Sequence, residues 1–184
     1  MIQIKEVLTI AAELLGLGTK FSESLISATE EGTELQKKLL KSFYLAESEV
    51  ALDYLPLVAE DDVESSTGTV YFSELSKYPA RIIKVAGEDG ERLFFEVYSK
   101  YIKTLPVKAT VTYAYAPDEK GIAESAEAHP AANARMLAYA TAEKYCLIEG
   151  LYEEAGVWEA KFKEAVKAAR KAAPTKVIRS RRWV

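Results

Sequence analysis

Apolar residues recur at helical spacing in the first third of the chain. Over Ile4–Leu15 they lie three or four positions apart, which predicts a short amphipathic helix. The same spacing over Leu35–Tyr54 predicts a second helix. Pro56 bounds this helix, because the residue before a proline is disfavoured in the α conformation. The polar residues between the helices, 19–33, predict a loop with a helical turn near 21–26.

The pattern changes to a period of two in the middle of the chain. Apolar and polar residues alternate over 92–98 and again over 107–115, which is typical of strands with one buried face. A further strand is predicted over 80–86, and the GEDG segment, 87–90, would join it to the 92–98 strand as a hairpin loop. A fourth short strand is predicted at 70–72. Such strands are stable when their apolar face packs against helices.

Helical spacing returns in the last third. Pro130 suits the first position of a helix, because its missing N–H would be unpaired there anyway. Residues 131–149 are apolar on most sides and rich in alanine, so they predict the central, most buried helix. Gly150 breaks that helix, and a final amphipathic helix is predicted at about 152–172, ended by Pro174.

This order of elements predicts an α+β fold. We expect an antiparallel four-helix core, with a small antiparallel β-sheet inserted between the helical pairs and an extended C-terminal tail. A single domain would cover 1–173, with helical parts at 1–56 and 129–173 and the β insertion at about 70–116. The basic tail would be 174–184.

The composition supports one domain and excludes several kinds of site. The chain has 184 residues, 49% of them apolar and 28% charged, which is enough for a single core. Its one cysteine, Cys146, allows no internal disulfide, and its one histidine, His129, excludes Cys2His2 and three-histidine metal sites within one chain. The two would lie about 25 Å apart on one helical segment. We expect Cys146 in the core and His129 at a helix start.

No sequence motif points to catalysis or to a cofactor. The chain lacks the G-x-x-x-x-G-K-S/T and G-x-G-x-x-G phosphate-binding patterns and the G-x-S-x-G nucleophile elbow. We therefore predict that the protein is not an enzyme and has no catalytic, cofactor-binding or metal-binding residues. No signal peptide or apolar stretch of about 18 residues is present either, so we expect assembly in a reducing cytoplasm.

Charge is divided unevenly along the chain. The formal net charge is -4, but residues 171–184 hold five cations and no acid, so residues 1–170 carry -9. A basic tail on an acidic body indicates a charged partner, and arginine and tryptophan are enriched at interface hot spots. We predict docking on another protein, with a frayed terminus or nucleic-acid contact as alternatives. The predicted partner-binding residues are Lys176, Arg179, Arg181, Arg182 and Trp183.

Two further clusters have weaker implications. The densest acidic cluster lacks the D-x-D-x-D-G spacing of a calcium loop, and an interface or lumen loop is predicted for Glu60, Asp61, Asp62 and Glu64. Four tyrosines of the predicted sheet are candidates for a base-stacking platform or for cross-strand packing. Packing is favoured because the region lacks a basic excess; the tyrosines are Tyr98, Tyr101, Tyr113 and Tyr115.

Three segments together resemble a known family. The first is HPAANARMLAYATAEKYCLIEGLYEEAGVWEAKFKEAVKAARK, residues 129–171, with a proline-started, alanine-rich helix, a short break and a second helix. The second is the amphipathic opening, Ile4–Leu15 and Glu34–Leu55, and the third is the β insertion, 70–116, beginning near YFSELSKYPARIIKV. With the ending RSRRWV, the chain resembles bacteriophage head-to-tail connectors, the adaptors beneath the portal that include the tail tubular protein A class.

The resemblance implies a ring, usually dodecameric, that docks on the portal protein and continues the DNA channel. The C-terminal tail would reach the portal, and the β insertion would face the next tail or neck protein. A closed ring needs a heterologous interface between copies. Duplex DNA would pass without sequence recognition, through a protein located in the virion neck and assembled in the bacterial host cytoplasm. No membrane partner and no catalytic residue are implied.

The sequence therefore predicts a structural head-to-tail adaptor of a phage or prophage. Two alternatives stay open. One is a tail-completion or stopper protein at a neighbouring level of the neck. The other is a small DNA-binding module that uses the basic C-terminal tail.

Overall fold

Helices form the two ends of the described chain, and strands form its middle. The computed structural model describes residues 1–27, 29–106 and 108–172. The helices are α1 (Ile4–Leu14), α2 (Gly18–Ile26), α3 (Glu30–Glu49), which continues as a π-helical turn (Val50–Tyr54), α4 (Ala134–Glu149) and α5 (Tyr152–Ala172). The strands are β1 (Leu57–Glu64), β2 (Thr69–Tyr71), β3 (Pro79–Gly87), β4 (Glu96–Val97), β5 (Tyr101–Lys103) and β6 (Lys108–Tyr115).

The helical core is built around α4, as its alanine-rich sequence predicted. This helix packs against α1, α3 and α5, and most of its residues are buried. Its alanines allow the neighbouring helices to approach closely. Large core side chains come from α4 itself, Met136 and Leu137, and from its neighbours, among them Leu8 of α1, Phe43 of α3 and Phe162 of α5. Gly150 ends α4 with φ 76°, in the left-handed conformation that glycine adopts without strain.

The polar segment 19–33 was predicted as a loop with a helical turn near 21–26. The turn is confirmed as part of α2, but the loop is wrong over most of its length, because α2 and the beginning of α3 occupy 18–26 and 30–33. Phe21 is a fully buried anchor for α2. Thr29 begins α3, because its Oγ1 accepts the N–H of Gly32 at 3.2 Å. One buried aromatic residue and one capping side chain are enough to order a segment whose apolar pattern is sparse.

The start of α4 also differs from the prediction. The helix begins at Ala134 rather than at 131, because Asn133 is the capping residue and its Oδ1 accepts the N–H of Met136 at 2.9 Å. Pro130 lies in the preceding turn. An asparagine with capping geometry outweighs the preference of proline for a first helical position.

Two three-stranded antiparallel sheets replace the single predicted sheet. The strand order is β1-β6-β3 in the first sheet and β2-β5-β4 in the second. One apolar cluster joins them, with Val85 and Val111 from the first sheet and Val70 and Ile102 from the second. All six described strands lie between α3 and α4 in the chain. The predicted α+β class is confirmed, with five α-helices rather than four among the described residues.

The predicted strands match the structure unevenly. Those at 70–72, 80–86 and 107–115 correspond to β2, β3 and β6, although Val107 lies outside the described residues. The predicted strand at 92–98 is wrong over most of its length, because only Glu96–Val97 pair within a sheet. Leu93 and Phe95 pack on the sheet cluster from an irregular segment, whereas Val97 is exposed. Alternate burial therefore does not require a continuous strand.

The predicted basic tail, 174–184, lies outside the described residues. Within the described part of the chain, no helix has both the length and the apolar character needed to cross a bilayer.

We predict opposite stability effects for two glycines near the α4–α5 turn. Gly150→Ala should lower the free energy of unfolding by about 1 kcal/mol, because its φ of 76° is strained for a residue with a Cβ. Gly156→Ala, inside α5 with open space around a Cβ, should raise it by about 0.5–1 kcal/mol. Urea unfolding of both variants checks this; the same sign for both would contradict the structure.

Candidate assembly surfaces

The C-terminal half of α5 presents a basic surface. Lys163, Lys167, Arg170 and Lys171 line a shallow groove beside Tyr54. Between residues 161 and 184 the sequence holds nine cations and one acid, so this stretch carries +8 and residues 1–160 carry -12. The charge division that the sequence indicated therefore begins within a helix of the fold, before the tail.

Arg170 anchors the end of α5 to the end of α3. Its Nη2 donates to the carbonyl oxygens of Tyr54 at 2.7 Å and Asp53 at 3.3 Å, and its Nε donates to Tyr54 at 3.2 Å. The guanidinium also lies 5.6 Å from the centre of the Tyr54 ring. These carbonyls end a helical segment and need donors from elsewhere. The contact fixes the C-terminal end of α5, after which the sequence continues into the basic tail.

The five predicted docking residues lie beyond this anchor. All of them are outside the described residues; they are Lys176, Arg179, Arg181, Arg182 and Trp183.

The predicted acidic loop is a strand. Glu60, Asp61, Asp62 and Glu64 belong to β1, which pairs with β6 along its whole length. The strand was missed because a run of acids hides the alternation of exposed and half-buried positions. The alternation itself was a usable signal, because every second residue from 57 to 63 is buried or half-buried. These residues are Leu57, Ala59, Asp61 and Val63.

The acids of β1 divide between its two faces. On the outer face, Glu60 accepts the hydroxyl of Thr112 at 3.2 Å and Asp62 that of Thr110 at 2.7 Å. Glu64 lies 4.0 Å from Lys108. These three acids are exposed and remain available to a partner.

Asp61 points to the other face and has a structural role. Its Oδ2 accepts the Tyr113 hydroxyl at 2.6 Å and the backbone N–H and hydroxyl of Ser76 at 2.7 and 3.0 Å. Burial alone would raise the pKa of Asp61, but these hydrogen bonds outweigh it and lower the pKa. Asp61 is thus occupied within the fold, and the structure separates it from the other three predicted residues.

The tyrosines predicted on the sheet lie in two separate places. Tyr98 stacks on Tyr101, with ring centres 4.7 Å apart and planes at 16°, and Tyr71 lies 5.8 Å from Tyr101. The three rings form a row on the outer face of the second sheet. Because Tyr98 and Tyr101 cover each other's faces, they are poorly suited to stacking on bases, and cross-strand packing is the better description.

The other two tyrosines belong to β6. Tyr113 is buried and bonded to Asp61. Tyr115 donates its hydroxyl to Glu127 at 2.7 Å. Burial, followed by this hydrogen bond, raises the pKa of Tyr115 to about 12. Neither Tyr113 nor Tyr115 belongs to the exposed row of Tyr71, Tyr98 and Tyr101.

An apolar corner lies at the α4–α5 turn. Its large side chains are between 42% and 73% exposed; they are Leu147, Ile148, Leu151 and Tyr152. Contiguous exposed apolar groups of this kind mark interaction surfaces. Sequence reasoning missed the corner, although the run of apolar residues on both sides of Gly150 could have indicated it.

A buried carboxylate joins the helical core to the segment after β6. Glu47 of α3 is 3% exposed, and its Oε1 accepts the N–H of Glu127 at 2.8 Å. Burial raises the pKa of Glu47 to about 7, although this hydrogen bond and the charge of Lys120 oppose the rise. Glu127 also pairs with Lys120 at 3.4 Å and accepts the Tyr115 hydroxyl. Polar contacts therefore run from α3 to β6.

Cys146 and His129 are held in separate roles. Cys146 is buried in α4, and burial raises the pKa of its thiol. His129 accepts the N–H of Ala131 through Nδ1 at 3.1 Å, in the turn before α4. Cys146 lies twelve residues into the helix, about 18 Å along its axis from Ala134. In the described ranges, no three His, Cys, Asp or Glu side chains converge as a metal site requires.

Protonation of Glu47 should make stability depend on pH. Between about pH 4.5 and 7 the folded protein keeps a proton that the unfolded chain releases. The stabilisation from this proton is complete at low pH and is lost as the pH rises through 7, an effect of about 3 kcal/mol. Glu47→Gln should remove that loss, so the variant gains stability relative to wild type from pH 5 to pH 8.

Urea unfolding across this range measures the difference between the two proteins. Glu31→Gln, which removes an exposed carboxylate of the same helix, corrects for the change in net charge. A constant difference between wild type and Glu47→Gln would disprove the assignment.

Loss of the Arg170 anchor should destabilise the fold. Arg170→Ala leaves two terminal carbonyls without their charged donor and should lower the free energy of unfolding by about 1.5–3 kcal/mol. Lys167→Ala, at an exposed position three residues earlier, should change it by less than about 0.5 kcal/mol. Equal effects in thermal unfolding would show that the contact is not specific.

Comparison with known proteins gives no assignment, so the interpretation of these surfaces rests on their geometry. No family model matches the chain, and no curated protein is detectably similar to it in sequence. The candidate binding surfaces are the basic end of α5, the acidic face of β1, the row of tyrosines and the apolar corner.

Proposed function

We propose that this protein is a structural adaptor of a phage or prophage head-to-tail connector. Copies assemble into a ring, a dodecamer by the resemblance, which docks on the portal protein and continues the DNA channel to the tail. The protein acts in the virion neck after assembly in the host cytoplasm. It works by binding other proteins and not by catalysis.

The observation that carries the proposal is the charge polarity of the chain. Residues 161–184 carry +8 and residues 1–160 carry -12. The basic part begins on the exposed side of α5 and continues into the tail, from a helix end that Arg170 anchors to α3. An anchored helix that leads into a segment of cations with an aromatic end is suited to reach an acidic protein surface.

The second sheet supports a second partner at a different place. Tyr71, Tyr98 and Tyr101 form a row on its outer face, and Phe94 is exposed shortly before β4. Aromatic side chains are enriched in protein interfaces and lose little conformational entropy there. This surface is proposed to meet the next tail or neck protein.

The acidic excess of residues 1–160 suits passage of duplex DNA. Carboxylates repel the phosphate backbone, and repulsion discourages DNA from adhering while it moves. The DNA is thus a passing partner that is not read by sequence.

The main alternative within the neck is a tail-completion or stopper protein, which would also form rings but would bind an adaptor in place of the portal. The other alternative is a DNA-binding module that uses the cations of α5 and the tail. Its signature is a monomer whose affinity for duplex DNA falls steeply with added salt.

Deletion of residues 174–184 tests the proposal. The truncated protein should keep its unfolding temperature, because the described core ends at Ala169. It should lose co-assembly with the portal protein of the same phage or prophage. Electron microscopy and size-exclusion chromatography of the two proteins mixed together provide the readout.

A matched pair of variants separates the site from net charge. Arg179→Gln, Arg181→Gln and Arg182→Gln together should abolish co-assembly. Neutralising three exposed lysines of the helical part, by Lys5→Gln, Lys20→Gln and Lys41→Gln, should leave it intact. Undiminished portal binding by the truncated protein would refute the proposal. A monomer with salt-sensitive duplex binding would favour the DNA-binding alternative.

A further inference from the structure

The first sheet has two open edges. Its order is β1-β6-β3, so β1 and β3 each pair with β6 on one side only. Apart from this pairing, no backbone hydrogen bond among the described residues reaches 57–64. On β3, residues Val85 and Gly87 bond to the segment at 91–93, which leaves only the first half of that edge open.

The two edges carry opposite charge on the same face. Glu60 and Asp62 of β1 lie opposite Thr112 and Thr110 of β6. The same two threonines lie opposite Lys84 and Ala86 of β3, and Arg81 lies opposite Ala114, which shares their face. Across the sheet, acids are followed by threonines and then by cations.

These charges are not neutralised within one chain. Neighbouring strands lie about 4.8 Å apart, so β1 and β3 are about 10 Å from each other. Among the described residues, no ion pair involves Glu60, Asp62, Arg81 or Lys84. Each edge therefore has charge available for a partner of the opposite sign.

The charge pattern excludes pairing of like edges. Two copies joined through β1 would bring acid against acid, and two joined through β3 would bring cation against cation. Only the heterologous combination places opposite charges together.

We infer that the β1 edge of one copy lies against the β3 edge of the next copy. Glu60 and Asp62 then face Arg81 and Lys84 across the contact, and the order of copies repeats head to tail. A heterologous contact of this kind closes into a ring when the rotation per copy permits. The inference rests on the proposed ring and specifies which surfaces join it.

The contact depends mainly on side-chain charge. The bulges of β3 interrupt a regular ladder, so main-chain hydrogen bonds supply only part of it. Pairing between exposed charges is screened by salt. Assembly through these edges should accordingly weaken as the ionic strength rises.

Charge reversal on each edge provides the test. One variant carries Glu60→Lys and Asp62→Lys, and the other carries Arg81→Glu and Lys84→Glu. Each alone brings like charges together at the contact and should reduce self-association at least tenfold. The two variants mixed in equal amounts should recover it, because both contacts in an alternating ring then join opposite charges.

Sedimentation velocity of the free protein and electron microscopy of the protein on its portal measure assembly. Circular dichroism establishes that each variant is folded; the β3 variant removes no hydrogen bond seen among the described residues, whereas the β1 variant loses two threonine contacts. Each variant has a control with the same change of net charge at exposed positions of the helices. The control for the β1 variant is Glu13→Lys with Glu164→Lys, and the control for the β3 variant is Lys5→Glu with Lys20→Glu. Both controls should assemble as the wild type does.

The outcomes separate the edge contact from the proposed function. Wild-type rings with unimpaired variants, or folded variants that do not recover on mixing, would overturn the edge contact and leave the adaptor function standing. A wild-type protein that stays monomeric, both alone and with the portal, would overturn both. Only recovery of self-association when the two variants are mixed supports the head-to-tail contact.

Discussion

Close packing around α4 is the constraint on which the rest of the structure depends. Its alanines bring three helices within contact distance of one axis, and the large side chains of those neighbours then fill the remaining space. With that core in place, the ends of α3 and α5 are adjacent, and Arg170 can reach the carbonyl groups of Asp53 and Tyr54. The position of the C-terminal end of α5 follows from this packing.

The sheets are attached to the same core by polar contacts. The Glu47 carboxylate accepts the backbone N–H of Glu127, and the Glu127 carboxylate accepts the hydroxyl of Tyr115 at the end of β6. A buried carboxylate in such a position is costly unless it is hydrogen-bonded, and its raised pKa expresses that cost. The first sheet thus has a defined attachment to the helices while its two edges stay open.

Charge is divided in an ordered way, both along the chain and across the first sheet. The +8 of residues 161–184 and the -12 of the preceding residues separate a basic end from an acidic body. Within the first sheet a smaller separation places acids on one edge and cations on the other. Both patterns oppose pairing of identical surfaces and favour contacts between different ones, as the proposed ring with distinct partners above and below it would require.

The sequence by itself determined the α+β class, the positions of α1, α4 and α5, and the division of charge, because helical periodicity and net charge are local properties that need no knowledge of distant residues. It did not reveal β1, since acids obscured its alternation, nor the full helical extent of 19–33, which depends on the buried Phe21 and on the Thr29 cap. Only the tertiary structure decided that Asp61 is occupied by Tyr113 whereas Glu60 and Asp62 face outward. Strand register sets which side chains meet, and register is settled by pairing between segments far apart in the chain.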